Sequence, residues 1–388
     1  MDEINRLQSK AIKEISKNQR DLDENTLKLI ATRLNSTKGL GLVDLFDLAY
    51  FAMVYSVMTQ IATNVEKTRI KQIKSLEKLL DTAAKSAYAS MKPLYGSKFL
   101  TFNQNKEVND FAKSEIKSQS NDFIRQLKKI GYPLTDNKTG KIIFNSPSDA
   151  YQYISNEAKN QELSNPYGYE SWGRGVLRQL LKSGLKIYNY NQDTHRYKQQ
   201  NSYSYIRNFV KDAVYKVCQG IFNVVANQVG IDGIELSVHA DSALDHLPIQ
   251  GHQFTLAQFK RMQSNQDFYD IKGEHFDAIE RAIGTWNCRH FVYPVKLGET
   301  KPRYTDEQLK EISDKTKSYT AITTLFGEEV PITYGEYARQ LNNLQDKEDK
   351  FAVGVHVAEK FGNKQLIDYY KSKLIMTKQA IDTLKVRI

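Results

Sequence analysis

The chain has 388 residues, 40% of them hydrophobic and 26% charged, a balance that fits two or three compact folded units. Its formal net charge of +10 favours anionic surroundings, either nucleic acid or acidic protein. Two cysteines exclude a disulfide framework and make a reducing compartment the default, and the opening MDEINRLQSK lacks the basic-then-apolar pattern of a secretion signal.

Apolar residues at three- and four-residue spacing predict helices over residues 22–34, 43–75 and 108–130. Gly39-Leu40-Gly41 breaks the first pair, and residues 93–96 break the second. The stretch 43–62 is the most apolar, yet it contains Asp44, Asp47, Ser56 and Gln60. A spanning helix needs about 20 mostly apolar residues, so this stretch reads as a buried bundle helix. Lys67, Arg69, Lys71 and Lys74 make the distal end of that helix basic, and the simplest reading is a solvated face. Residues 131–170 are turn-rich, with one short strand at 141–145, and a boundary is placed there.

Arg174, Arg178, Lys182 and Lys186 recur every four residues, which predicts one cationic helix face beside an apolar stripe of Leu177, Leu180, Leu181 and Leu185. A polar, aromatic loop containing Tyr188 and Tyr190 is expected to run to residue 204, followed by a helix over 205–229. Arg207 and Lys211 fall on the polar side of that helix. Cations interleaved with tyrosines suit a phosphate backbone and unstacked bases, or a partner protein. Arg174, Arg178, Lys182, Lys186, Arg207 and Lys211 are therefore the candidate nucleic-acid or partner-binding residues.

Ile234, Leu236 and Val238 alternate with Glu235, Ser237 and His239, which predicts a half-buried strand with His239 on its open face. Short extended pieces follow near Phe254 and at 291–295, with a helix at 256–262 between them. Beyond Pro302 three helices are predicted, at 306–317, at 333–361 with a break near Asp349, and at 364–386. The fold class is α+β: a mostly helical chain whose small mixed core is flanked by helical arms. Its expected divisions are residues 1–130, 131–305 and 306–388.

Five of the seven histidines, and Cys288, fall between residues 239 and 290. Three readings of this concentration stay open. His239, His246, Cys288 and His290 have the donor types of a four-ligand zinc site, and zinc is the one cofactor the residues admit. Asp245 and His246 with Asn287 and His290 have the residue types of a metal-dependent nuclease. The simplest reading needs no ion: His, Asp and Asn lock the loops by hydrogen bonding. No catalytic residue can be assigned.

The run Ser237-x-His239, Asp245-His246, Gln250-Gly251 and Phe254, then Asn287-Cys288-Arg289-His290 and Tyr293-Pro294, then Lys301-Pro302 and Tyr304-Thr305, resembles the minor capsid (minor head) protein family of tailed bacteriophages. The resemblance spans residues 170–310 and is sharp over 237–305. Ser242, Ala243 and Leu244 stand where the family has Ala-Arg-Pro, and Ile249 stands where it has Trp. The resemblance implies a virion component made in the host cytoplasm and associated with portal and major capsid proteins. It implies a role in head assembly or in DNA packaging and delivery, with contact to packaged DNA, without enzymatic activity and away from membranes. The alternative reading is a nuclease packaged in the virion.

Overall fold

Ile15, Leu22, Leu27, Ile30, Ala31 and Leu34 lie on one side of α1 (Asp2–Thr37) and are buried. Each large aliphatic side chain so buried contributes roughly 1.5–3 kcal/mol. The computed structural model describes residues 2–41, 48–136, 139–191, 196–239, 242, 245–284, 288, 290–317, 319–322 and 329–385. α1 runs antiparallel to α2 (Leu48–Ala89): Arg33 lies over the Tyr50 ring at 3.7 Å near one end, and Gln72 donates to Gln19 at 3.1 Å further along. Both helices outrun their predicted spans, because Ala83, Ala84 and Ala87 continue the apolar stripe of α2 beyond residue 75. The first turns of α2 are not a buried bundle segment as expected. Tyr50 and Val54 face inward, whereas Leu48 and Tyr55 are 81% and 67% exposed. Among the described residues, no helix is long and apolar enough to cross a membrane.

Asn105 caps α3 (Lys106–Leu127), whose Phe123 stacks on Phe209 at 5.0 Å. The stretch expected to be mostly turns holds two strands and a helix: β1 (Ile130–Thr135), β2 (Ile142–Asn145) and α4 (Pro147–Ser164). Ser146 caps α4, with Pro147 in its first turn. α5 (Tyr169–Ser183) stops at Gly184, which adopts a left-handed φ of 59°. Lys186 therefore begins a strand instead of extending the helix. The expected loop after it is a hairpin, β3 (Lys186–Asn191) and β4 (Arg196–Asn201). These strands form an antiparallel sheet in the order β2-β1-β3-β4.

The long helix α6 (Ser202–Val229) packs against α1, α2 and α3, and it also carries the second sheet. That sheet has the order β6-β5-β9, from β5 (Gly233–Leu236), β6 (Gln253–Thr255) and β9 (Val292–Val295). Both faces are covered, so the expected open face of β5 does not exist; Glu235 and Ser237 are fully buried. Ile234, Leu236 and Phe254 face an apolar cluster with Met262 of α7 (Leu256–Gln263), Phe268 of β7 (Phe268–Tyr269) and Phe276 of β8 (His275–Phe276). On the other face Tyr293 and Phe291 join the main helical core through Phe222 of α6, at ring distances of 5.2 and 6.0 Å. Gln219 of α6 accepts the N–H of Val292 at 3.0 Å and donates to its carbonyl at 3.1 Å, so a side-chain amide covers the edge of β9.

The chain ends with α8 (Asp306–Lys317), the hairpin β10 (Tyr319–Ile322) and β11 (Glu329–Ile332), and the helices α9 (Tyr334–Phe361) and α10 (Lys364–Lys385). Thr333 and Glu336 form a capping box at the start of α9. α9 is continuous through Asp349, where a break was expected; Asp349 there pairs with Arg20 of α1. The whole is a mostly helical α+β protein with small antiparallel sheets.

Candidate functional site

Ser237 is where the two loops that leave the β6-β5-β9 sheet are joined. Its N–H donates to the Phe291 carbonyl at 2.9 Å, and its Oγ accepts the Phe291 N–H at 2.8 Å. The same Oγ lies 3.0 Å from Nε2 of His239. The backbone N–H of His239 is in turn held by the side-chain oxygen of Gln250. Gly251, next in the chain, donates to the Leu236 carbonyl at 3.0 Å with φ of 74°. A Cβ there would sit 2.4 Å from a Leu309 methyl, so the tight return requires glycine.

These bonds bring three side chains of distant sequence together. One ligand atom from each of His246, Cys288 and His290 lies within 4.8 Å of the others. Sγ of Cys288 is 3.6 Å from Nδ1 of His290 and 3.9 Å from Nδ1 of His246. Both histidines are almost fully buried, and the thiol is half-buried. The His239 ring lies edge-on to His290 at 4.7 Å, but its nitrogens are outside the three-atom group. Of the four expected ligands, three therefore converge and the fourth stands beside them.

The surroundings fix the protonation of the group. Nε2 of His246 is 2.8 Å from the Arg281 carbonyl, so it carries the proton and Nδ1 presents a lone pair towards Cys288. Asp245 stands 3.6 Å from the same Nε2 and accepts the Glu280 N–H at 3.1 Å. Burial acts to lower the His246 pKa, but the contacts with Cys288, Arg281 and Asp245 outweigh it and hold the ring above its ordinary value of 6.5. Burial acts to raise the Cys288 thiol, but its bonds to His246 and to the backbone of Gly284 and His290 bring it below the ordinary 9.0. His290 is driven well below 6.5 by burial and by the neighbouring imidazoles of His239 and His246, so it is neutral. Ser242, which the sequence did not single out, places its Oγ 3.4 Å from His290 Nε2. Asn287 and Arg289 lie outside the described residues.

Further motif residues serve the sheet. Tyr293 and Pro294 occupy β9, opposite Glu235 and Ile234. Glu235 is a buried acid that sequence reasoning missed; it accepts from Gln253 at 2.9 Å and from the Arg303 N–H at 3.1 Å, and burial raises its pKa. The Arg303 guanidinium caps the Tyr293 ring at 4.2 Å.

The basic residues of 171–220 do not form one face. Arg174 bonds to Gln365, and Arg178 lies over the Tyr369 ring at 5.6 Å, so both meet α10. Lys182 is exposed, with its carbonyl accepting from Lys350. Lys186, on β3, is half-buried, and burial lowers its pKa. Arg207 forms a two-oxygen pair with Asp346 at 3.2 Å. Arg207 and Lys211 line a cleft of about 590 Å³ between α1, α6 and α9, which shares no lining residue with the histidine cluster.

A family model described as phage minor capsid protein 2 matches residues 6–383. No curated protein and no solved structure matches the chain.

Proposed function

This chain belongs to the phage minor capsid protein 2 family, whose members are structural proteins of the phage head, and we propose that it binds portal subunits at the inner face of the shell and touches the packaged genome. The match over residues 6–383 supports a structural head role for the chain, because it takes in the long helices on both sides of the histidine-bearing sheet. The whole molecule is thus one kind of head component, and its work is binding.

Two surface features support the finer placement. Leu48, Phe51, Met53 and Tyr55 on α2, and Ile375 and Met376 on α10, are exposed apolar side chains of the sort that become covered in an assembly. Lys67, Lys71 and Lys74 are exposed along α2, while Arg174, Arg178 and Arg207 are engaged within the chain. Contact with DNA therefore falls to the α2 lysines, whose charges would displace counterions from phosphate.

Cross-linking of purified phage heads, read by mass spectrometry, tests this placement. The expected result is links to the portal from Lys371 and Lys378, exposed beside Ile375 and Met376 on α10, with the protein protected from added protease until the heads are opened. Links to the outer capsid surface alone, with digestion in intact heads, would contradict it.

A further inference from the structure

The histidine cluster combines one thiol and two imidazoles in a geometry that a hydrogen-bonded loop does not require. Zinc bonds to sulfur at about 2.3 Å and to imidazole nitrogen at about 2.0–2.1 Å, so tetrahedral angles put the two donor atoms about 3.6 Å apart. The Cys288 to His290 separation is 3.6 Å and the Cys288 to His246 separation is 3.9 Å. Those separations are close to what one shared ion would impose. We propose that His246 Nδ1, Cys288 Sγ and His290 Nδ1 bind one zinc ion, which ties the loop after β5 to the loop before β9.

The outward-facing nitrogens of both imidazoles are held for this role. The Arg281 carbonyl takes the Nε2 proton of His246 at 2.8 Å, which is how metal-bound imidazoles are oriented. Ser242 does the corresponding service at Nε2 of His290, at 3.4 Å. A tetrahedral ion takes a fourth donor, which is water or the adjacent His239 imidazole. The donor set selects against magnesium and calcium, which take oxygen ligands.

Two other groups of metal-ligand type do not compete. His252 is 2.9 Å from Asp270, but the other oxygen of that carboxylate already accepts the N–H groups of Lys272 and Glu274 at 2.8 Å. The group Asp267, His275 and Asp277 is exposed on all three members. The proposal does not depend on which head subunits the protein touches.

The test uses the full chain, purified after growth with added zinc. Metal analysis should find about one zinc per chain. Replacement by cobalt should give a thiolate-to-cobalt charge-transfer band, absent in Cys288→Ala and kept in Cys218→Ser and His252→Gln. Iodoacetamide should label Cys288 of the wild-type protein only after a chelator is added, a readout that needs no variant to fold. Failure to retain zinc, a cobalt spectrum without the thiolate band, or Cys288 labelling unaffected by chelator would each overturn the proposal.

Discussion

The hydroxyl of Ser237 accepts the backbone N–H of Phe291 at 2.8 Å, across 54 residues of chain. With the Ser237 N–H bond to the Phe291 carbonyl at 2.9 Å, it sets the register of two loops, and the loops carry every member of the histidine cluster. Ser237 is fully buried, so nothing else can supply the missing acceptor. Ser237→Ala should destabilise the protein by about 1–3 kcal/mol, the cost of an unsatisfied buried N–H. Urea denaturation checks this, and a loss below a few tenths would contradict it.

Phe222 holds the sheet against the helical core, with Phe291 and Tyr293 on its ring. Phe222→Ala should cost about 3–5 kcal/mol. Hydrogen exchange should accelerate in β5 and β9 more than in the pair α9 and α10. Uniform acceleration would mean that sheet and bundle do not depend on this contact.

Asp23 gives a pH dependence of known sign. It is buried on α1 and accepts hydroxyl bonds from Tyr132 and from Tyr203, the latter at 2.9 Å. Burial nonetheless raises its pKa above the ordinary 3.8, against the lowering effect of those bonds. Between 3.8 and the elevated folded value, the native state holds a proton that the unfolded state releases, so stability falls as pH rises. The slope from this group is at most about 1.4 kcal/mol per pH unit. Asp23→Asn should remove it, so the variant gains on the wild type as pH rises from the carboxylate range towards neutral. A difference that is flat with pH, or that runs the other way, would refute the assignment.

The separation of basic residues into engaged and exposed sets is testable on DNA. Lys67→Glu, Lys71→Glu and Lys74→Glu together should lower affinity for duplex DNA and flatten its salt dependence. Arg174→Ala with Arg178→Ala should leave binding unchanged and loosen α10, since a cation–π contact contributes about 0.5–1 kcal/mol at an exposed site. Equal loss of binding in both variants would return DNA contact to the α5 face.

Much of this architecture was written in local pattern. The three-and-four spacing of α2 and the alternation at Ile234 and Leu236 each report a covered face, and Thr305 with Gln308 reports the start of α8, so each was readable. The motif around Ser237, Gln250 and Gly251 was readable as a resemblance, although the bonds that make it work join residues far apart. Gly184 was the overlooked signal: it stops α5 and turns Lys186 into a strand residue. Ser146-Pro147 likewise announced α4, and turn residues nearby masked it. The β3–β4 hairpin was hidden because its polar and tyrosine side chains look like loop. The partners of Arg174 and Arg207 were invisible, because Gln365 and Asp346 lie well over one hundred residues away.

X-ray absorption at the zinc edge of the purified full-length protein addresses the convergence of His246, Cys288 and His290 most directly. One sulfur at about 2.3 Å, with the remaining nitrogen or oxygen neighbours at about 2.0–2.1 Å, is the predicted shell. A shell of nitrogen and oxygen alone, or no bound zinc to measure, would contradict the account.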